Sequence, residues 1–76
     1  MEREIVKKLS ILVEHWIEHN REHAAEYEKW GRRAKEAALA DVALAITQAG
    51  EAMKKSEDHL QEAVHRLLSY QANAGS

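Results

Sequence analysis

From Leu39 onward the chain places small or apolar residues at alternating steps of three and four. Leu39, Val42, Ile46, Ala49, Met53, Ser56, Leu60, Ala63, Leu67 and Tyr70 follow one another without a slip. An α-helix brings residues at that spacing onto one stripe, and a sustained seven-residue period marks the shallow-angle packing of coiled coils and bundles. The pattern therefore predicts a long helix lying lengthwise against another. It crosses Gly50 in register, so Gly50 reads as a point of close contact inside the helix, despite a propensity cost of about 1 kcal/mol.

The first half of the chain is periodic too. Ile5, Leu9, Leu12, Trp16, His19, His23, Tyr27, Trp30 and Ala34 share one side, and Val6, Val13, Ile17, Asn20, Ala24 and Gly31 widen it. On a wheel of 100° per residue starting at Ile5, the apolar arc runs from about −20° to about +120°. Glu2 and Glu4 open this helix, and Lys29, Arg32, Arg33 and Lys35 close it, as the helix dipole prefers. The expected organisation is one domain over residues 1–72. Its first helix covers about 2–36, its second about 41–71, and a frayed tail occupies 73–76.

The turn falls near residues 36–41, with Asp41 as a cap for the second helix. No glycine is available there, and Ala37-Ala38 holds the place of a left-handed helix cap. A single unbroken helix or a swapped hairpin is the competing arrangement. In an antiparallel hairpin, residues whose numbers sum to about 77 face each other. Trp16 then meets Leu60, Trp30 meets Ile46, and His19, Asn20 and His23 meet Met53, Ser56 and Glu57. Trp16 and Trp30 read as core anchors.

One hairpin cannot cover an arc about 140° wide. The chain has 76 residues and no cysteine. Chains of this size usually need a disulfide, a metal or a partner, because a single small core supplies no more than about 3–5 kcal/mol. Without thiols, disulfides, thiolate zinc sites and iron–sulfur clusters are excluded. The expected fold is all-α: an antiparallel helical hairpin that assembles with itself, as a homodimer or a higher even oligomer, into a four-helix bundle. The net charge of −2 is well mixed, with none of the basic stripe that nucleic-acid binding wants. No apolar run approaches the ~20 residues of a membrane span. Met1-Glu2-Arg3-Glu4 leads straight into the amphipathic pattern, with no signal peptide, so the cytoplasm is the expected compartment.

Three histidines stand four residues apart, His15, His19 and His23. Each step advances the side chain by only about 40°, so the imidazoles form one ridge that runs into the buried arc. Imidazole is the commonest metal ligand and titrates near neutral pH. Histidines at i and i+4 can share one ion, whereas His15 and His23 lie about 12 Å apart along the axis. Further ligands would come from Glu26 on the same ridge, from Glu22 beside it, from Glu57 or His59 across the hairpin, or from the histidines of a second copy. The expectation is transition-metal binding through His15, His19, His23 and Glu26, with Asn20 supporting them. Zinc, nickel, copper and iron all suit imidazole–carboxylate donors. The alternative is a structural or protein-interaction module in which packed histidines and Asn20 set register and oligomer state. Glu62-x-x-His65 points away from the seam and reads as a surface coincidence. Nothing positions a nucleophile or a water-activating base, so no catalytic residues are assigned and an enzyme is not expected.

The segment from Leu12 to Trp30 carries the pattern H-W-I-x-H-N-x-x-H-A, followed by an aromatic residue and then tryptophan. It resembles a small uncharacterised prokaryotic helical domain family, and the likeness extends over most of the chain. The resemblance implies that His15, His19, Asn20 and His23 matter as a group, and that a glycine usually stands at the turn position held here by Ala38. It implies no particular activity.

Overall fold

The computed structural model describes residues 2–74, and these form two α-helices, α1 (Glu2–Glu36) and α2 (Ala40–Ala74). They run antiparallel as a rod of 59 × 14 × 13 Å. α2 begins one residue earlier than the periodicity suggests and continues through Asn73 and Ala74. Of the tail expected at 73–76, residues 75 and 76 lie outside the described residues. Among the described residues no helix is long and apolar enough to cross a membrane.

The turn is built from Ala37, Ala38 and Leu39. Ala38 has φ of 63°, the left-handed conformation usually given to glycine. The Leu39 amide donates to the Ala34 carbonyl at 2.9 Å, and the Ala38 amide donates to the Lys35 carbonyl at 3.0 Å. This pair of bonds satisfies carbonyls that the helix end would otherwise leave open, with an alanine in the glycine position. On the far side, the Ala43 amide donates to the Leu39 carbonyl at 2.9 Å, so Leu39 occupies the capping position. Asp41 lies inside the first turn rather than at the cap. Its carboxylate accepts the Val42 amide at 2.9 Å and complements the positive end of the helix dipole.

Cross-helix hydrogen bonds fix the register. Asn20 Nδ2 donates to Ser56 Oγ at 3.2 Å, and Arg21 donates to both carboxylate oxygens of Glu57 at 2.9 and 3.0 Å. Near the open end Gln71 Nε2 donates to Ser10 Oγ at 2.9 Å, and Ser10 Oγ donates to the Val6 carbonyl at 2.9 Å. The Asn20–Ser56 pairing is the one the antiparallel register predicts.

Among the described residues the buried apolar ones are few: Val13, Ile17, Ala24 and Ala43. Gly31 and Gly50 are buried between them. A Cβ on Gly50 would stand 3.4 Å from Tyr27 Cβ, and one on Gly31 would stand 3.0 Å from Thr47 Oγ1. Gly50, which the heptad crosses without a slip, is therefore the close-contact point expected inside the helix, although it stands beside the heptad positions and not among them, and Gly31 is a tighter one. Ile46, Met53, Leu60 and Leu67 are half-buried at the margin of this seam.

The seam uses only part of each apolar arc. On α1 it takes the Val6, Val13, Ile17, Ala24 and Gly31 side. Ile5, Leu12, Trp16 and Trp30 stay exposed, the two tryptophans at 43 % and 48 %. On α2 it shifts toward Ala43 and Gly50, which leaves Leu39, Val42, Ala49 and Tyr70 exposed although they belong to the heptad. Within one hairpin, then, Trp16 and Trp30 are not core anchors. Small residues let the backbones approach closely, and the pairing follows the glycine and alanine side rather than the bulky one.

Candidate functional site

The histidine ridge lies at the middle of α1 and extends one residue further than the histidines. His15 and His19 stack with ring centroids 6.0 Å apart, and His23 and Tyr27 stack with centroids 6.0 Å apart. These spacings equal the axial rise of about 6 Å for four helical residues. His19 and His23 depart from that rise. Their rings meet edge to face, at an interplanar angle of 82°, and their centroids close to 4.5 Å. His15 and His19 are exposed, whereas His23 and Tyr27 are half-buried. The Tyr27 contact follows from sequence, since Tyr27 is four residues after His23, yet reading the ridge as histidine alone stops short of it.

Of the residues offered as further ligands, Glu26 and Glu57 are engaged elsewhere, and Glu22 and His59 are exposed. The Glu26 carboxylate accepts the Trp30 indole Nε1–H at 3.1 Å. The same indole ring has the Lys29 ammonium 5.5 Å and the Arg33 guanidinium 5.0 Å from its centroid, positions in which a cation is attracted to the ring face. Trp30 is thus held in place while staying exposed. Glu57 is taken by Arg21. That contact, mainly through its hydrogen bonds, holds the Glu57 carboxyl below the usual carboxylate range and raises Arg21 above its ordinary value. Asn20 points into the helix pair, toward Ser56, rather than toward the imidazoles. His59 and His65 are exposed on α2, and Glu62 pairs with Arg66 at 3.0 Å. Among the described residues, no three histidine, aspartate or glutamate side chains converge where one ion could sit. The structure therefore groups His15, His19 and His23 with Tyr27, and leaves Glu26 outside that group.

The ridge sits within a larger apolar surface. Leu12 precedes it, Trp16 lies beside its first turn, Trp30 follows it, and Ile5 and Leu9 extend the same side of α1 toward the open end. The unused heptad positions of α2, Leu39, Val42 and Tyr70, are likewise uncovered. The opposite groove is different in kind. It has a volume of about 570 Å³, a floor of Ala24, Gly31, Ala43 and Gly50, and charged walls that include Glu28 and Lys54.

Residues 9–67 match a family model described as "Domain of unknown function (DUF8180)". No curated protein and no solved structure matches the chain.

Proposed function

The chain belongs to the DUF8180 family, and because that membership brings no activity with it, we propose from geometry that the protein is a self-associating helical module. Two hairpins pack through their exposed apolar faces to complete a four-helix bundle. The observation that carries this reading is the row of large apolar side chains left uncovered along one side of α1, from Ile5 through Leu12 and Trp16 to Trp30.

The surface area supports it. A compact monomer of 8.7 kDa would expose about 4,700 Å², whereas this hairpin exposes 6239 Å². Its radius of gyration is 17.1 Å, against about 11 Å for a globular domain of this length. The excess, about 1,500 Å², exceeds the roughly 800 Å² that each partner contributes to a standard interface and falls in the range of obligate dimers. A second copy suits this face better than an unrelated partner. The apolar row runs along most of the rod, and two copies of one surface can meet about a twofold axis. Heptad positions left free on α2 supply the complementary stripe.

Sedimentation velocity at micromolar chain concentration tests this. The expected species is a dimer or a higher even oligomer. Leu12→Glu/Trp16→Glu, which places two carboxylates in the centre of the face, should shift the chain to monomer with loss of helix. A wild-type chain that is monomeric and fully helical at these concentrations would overturn the reading.

A further inference from the structure

The imidazole ladder is not uniform, and its irregularity has a chemical consequence. An ion bound about 2.1 Å from an imidazole nitrogen lies about 3.2 Å from that ring's centroid. Two rings on one ion, at ligand angles of about 90–110°, then have centroids about 4.5–5.2 Å apart. His19 and His23 stand at 4.5 Å, inside that interval. His15 and His19 stand at 6.0 Å, which would demand a far wider angle. We propose that His19 and His23 from each of two chains form one four-imidazole site for a divalent transition ion, closed across the interface of the dimer. His15 and Glu26 do not coordinate.

This inference rests on the self-association proposed above, because one hairpin cannot complete the site. Each chain provides two imidazoles whose ring centroids stand 4.5 Å apart, and no third donor joins them among the described residues. Placement along the rod supplies the rest. α1 spans Glu2–Glu36, so His19 is its middle residue. Two rods that overlap along their full 59 Å bring their midpoints level, whether the twofold axis runs along the bundle or across it. The two His19/His23 pairs then come to the same height on the apolar faces that meet. Trp16 lies one turn before the pair, and Tyr27 and Trp30 lie one to two turns after it. An ion held there has apolar walls on both sides, where the contact with imidazole nitrogen faces little competition from water. Turning each ring about its Cβ–Cγ bond, an axis that passes close to the ring centroid, reorients its nitrogens toward the ion while leaving the 4.5 Å centroid spacing nearly unchanged. Four neutral nitrogen donors suit zinc, copper and nickel better than magnesium or calcium, which prefer oxygen.

The test is calorimetric titration of the untagged full chain with Zn²⁺, with sedimentation velocity on the same samples. The expected result is one ion per two chains. His19→Leu/His23→Leu should remain dimeric and helical and weaken zinc binding at least 100-fold. His15→Ala should bind within threefold of wild type. If the leucine variant aggregates, His19→Gln/His23→Gln keeps the polarity of the face and should show the same loss. A chain that stays monomeric at every zinc concentration overturns the self-association itself. A dimer that takes up no zinc, or takes up one ion per chain, overturns the metal site alone. So does binding that survives the double variants or is lost equally with His15→Ala.

Discussion

Replacing Ala38 with glycine should stabilise the protein, and the size of the effect follows from the turn. Ala38 is the one non-glycine residue with positive φ among those described, at 63°. A left-handed conformation costs an L-residue roughly 1–2 kcal/mol, because Cβ crowds the following carbonyl. Glycine removes that strain. It also gives the unfolded chain more freedom, which takes back about 0.4–1 kcal/mol. The two bonds that build the turn, Leu39 to Ala34 and Ala38 to Lys35, use backbone atoms and survive the change. The net gain is about 0.5–1 kcal/mol per chain. For a domain of this size, that raises the melting temperature by about 3–6 °C. Melting followed by circular dichroism measures it, at one fixed chain concentration because the proposed association would make the midpoint depend on concentration. Ala37→Gly is the control. Ala37 has no positive φ, so glycine there adds only unfolded-state freedom and should lower stability by about 0.5–1 kcal/mol. If the two variants shift the midpoint in the same direction, the left-handed residue is not where the turn places it.

The two helix-contact glycines should respond differently to alanine. Gly50→Ala makes an ordinary contact with Tyr27 Cβ at 3.4 Å and gains up to about 1 kcal/mol of helix propensity, so its melt should match or exceed wild type. Gly31→Ala meets Thr47 Oγ1 at 3.0 Å and should melt below Gly50→Ala, with Thr47→Ala restoring the loss; equal melts for the two single variants would refute the difference in spacing. The Arg21–Glu57 pair predicts an acid limb. The folded carboxyl value is depressed below 4.5, so the stabilisation is present above the unfolded value and disappears as pH falls through the folded one. Below about pH 4.5 the wild type should lose stability more steeply than Arg21→Gln, and parallel profiles would show that the pair does not contribute.

Much of the architecture is local, and for that reason it is legible in the residues. The three-and-four spacing from Leu39 to Tyr70 requires a helix. The charges of Lys29, Arg32, Arg33 and Lys35 mark where the preceding helix ends, and the short gap between the two elements makes them antiparallel neighbours. The register that pairs Asn20 with Ser56 then follows from counting residues away from the turn. The contact role of Gly50 follows from a helical pattern that runs through a glycine without a slip. The ridge of His15, His19 and His23 is equally a matter of spacing.

Only the tertiary structure decides which part of a wide apolar arc meets the other helix. Periodicity makes Leu12 and Trp16 as eligible as Val13 and Ile17. The pairing falls on Val13 and Ile17 because the small residues Ala24, Gly31, Ala43 and Gly50 continue that line and let the backbones approach, whereas the tryptophans would hold them apart. Ring spacing is also beyond the reach of periodicity. Three identical four-residue steps give centroid distances of 6.0, 4.5 and 6.0 Å, because side-chain rotation sets the ring positions once the helix has set the ridge. Glu26 shares that ridge by spacing, but its carboxylate turns to the Trp30 indole, a nearby N–H donor four residues along the same helix. Sequence places donors and acceptors on a face, and packing and hydrogen bonding in three dimensions select which of them meet.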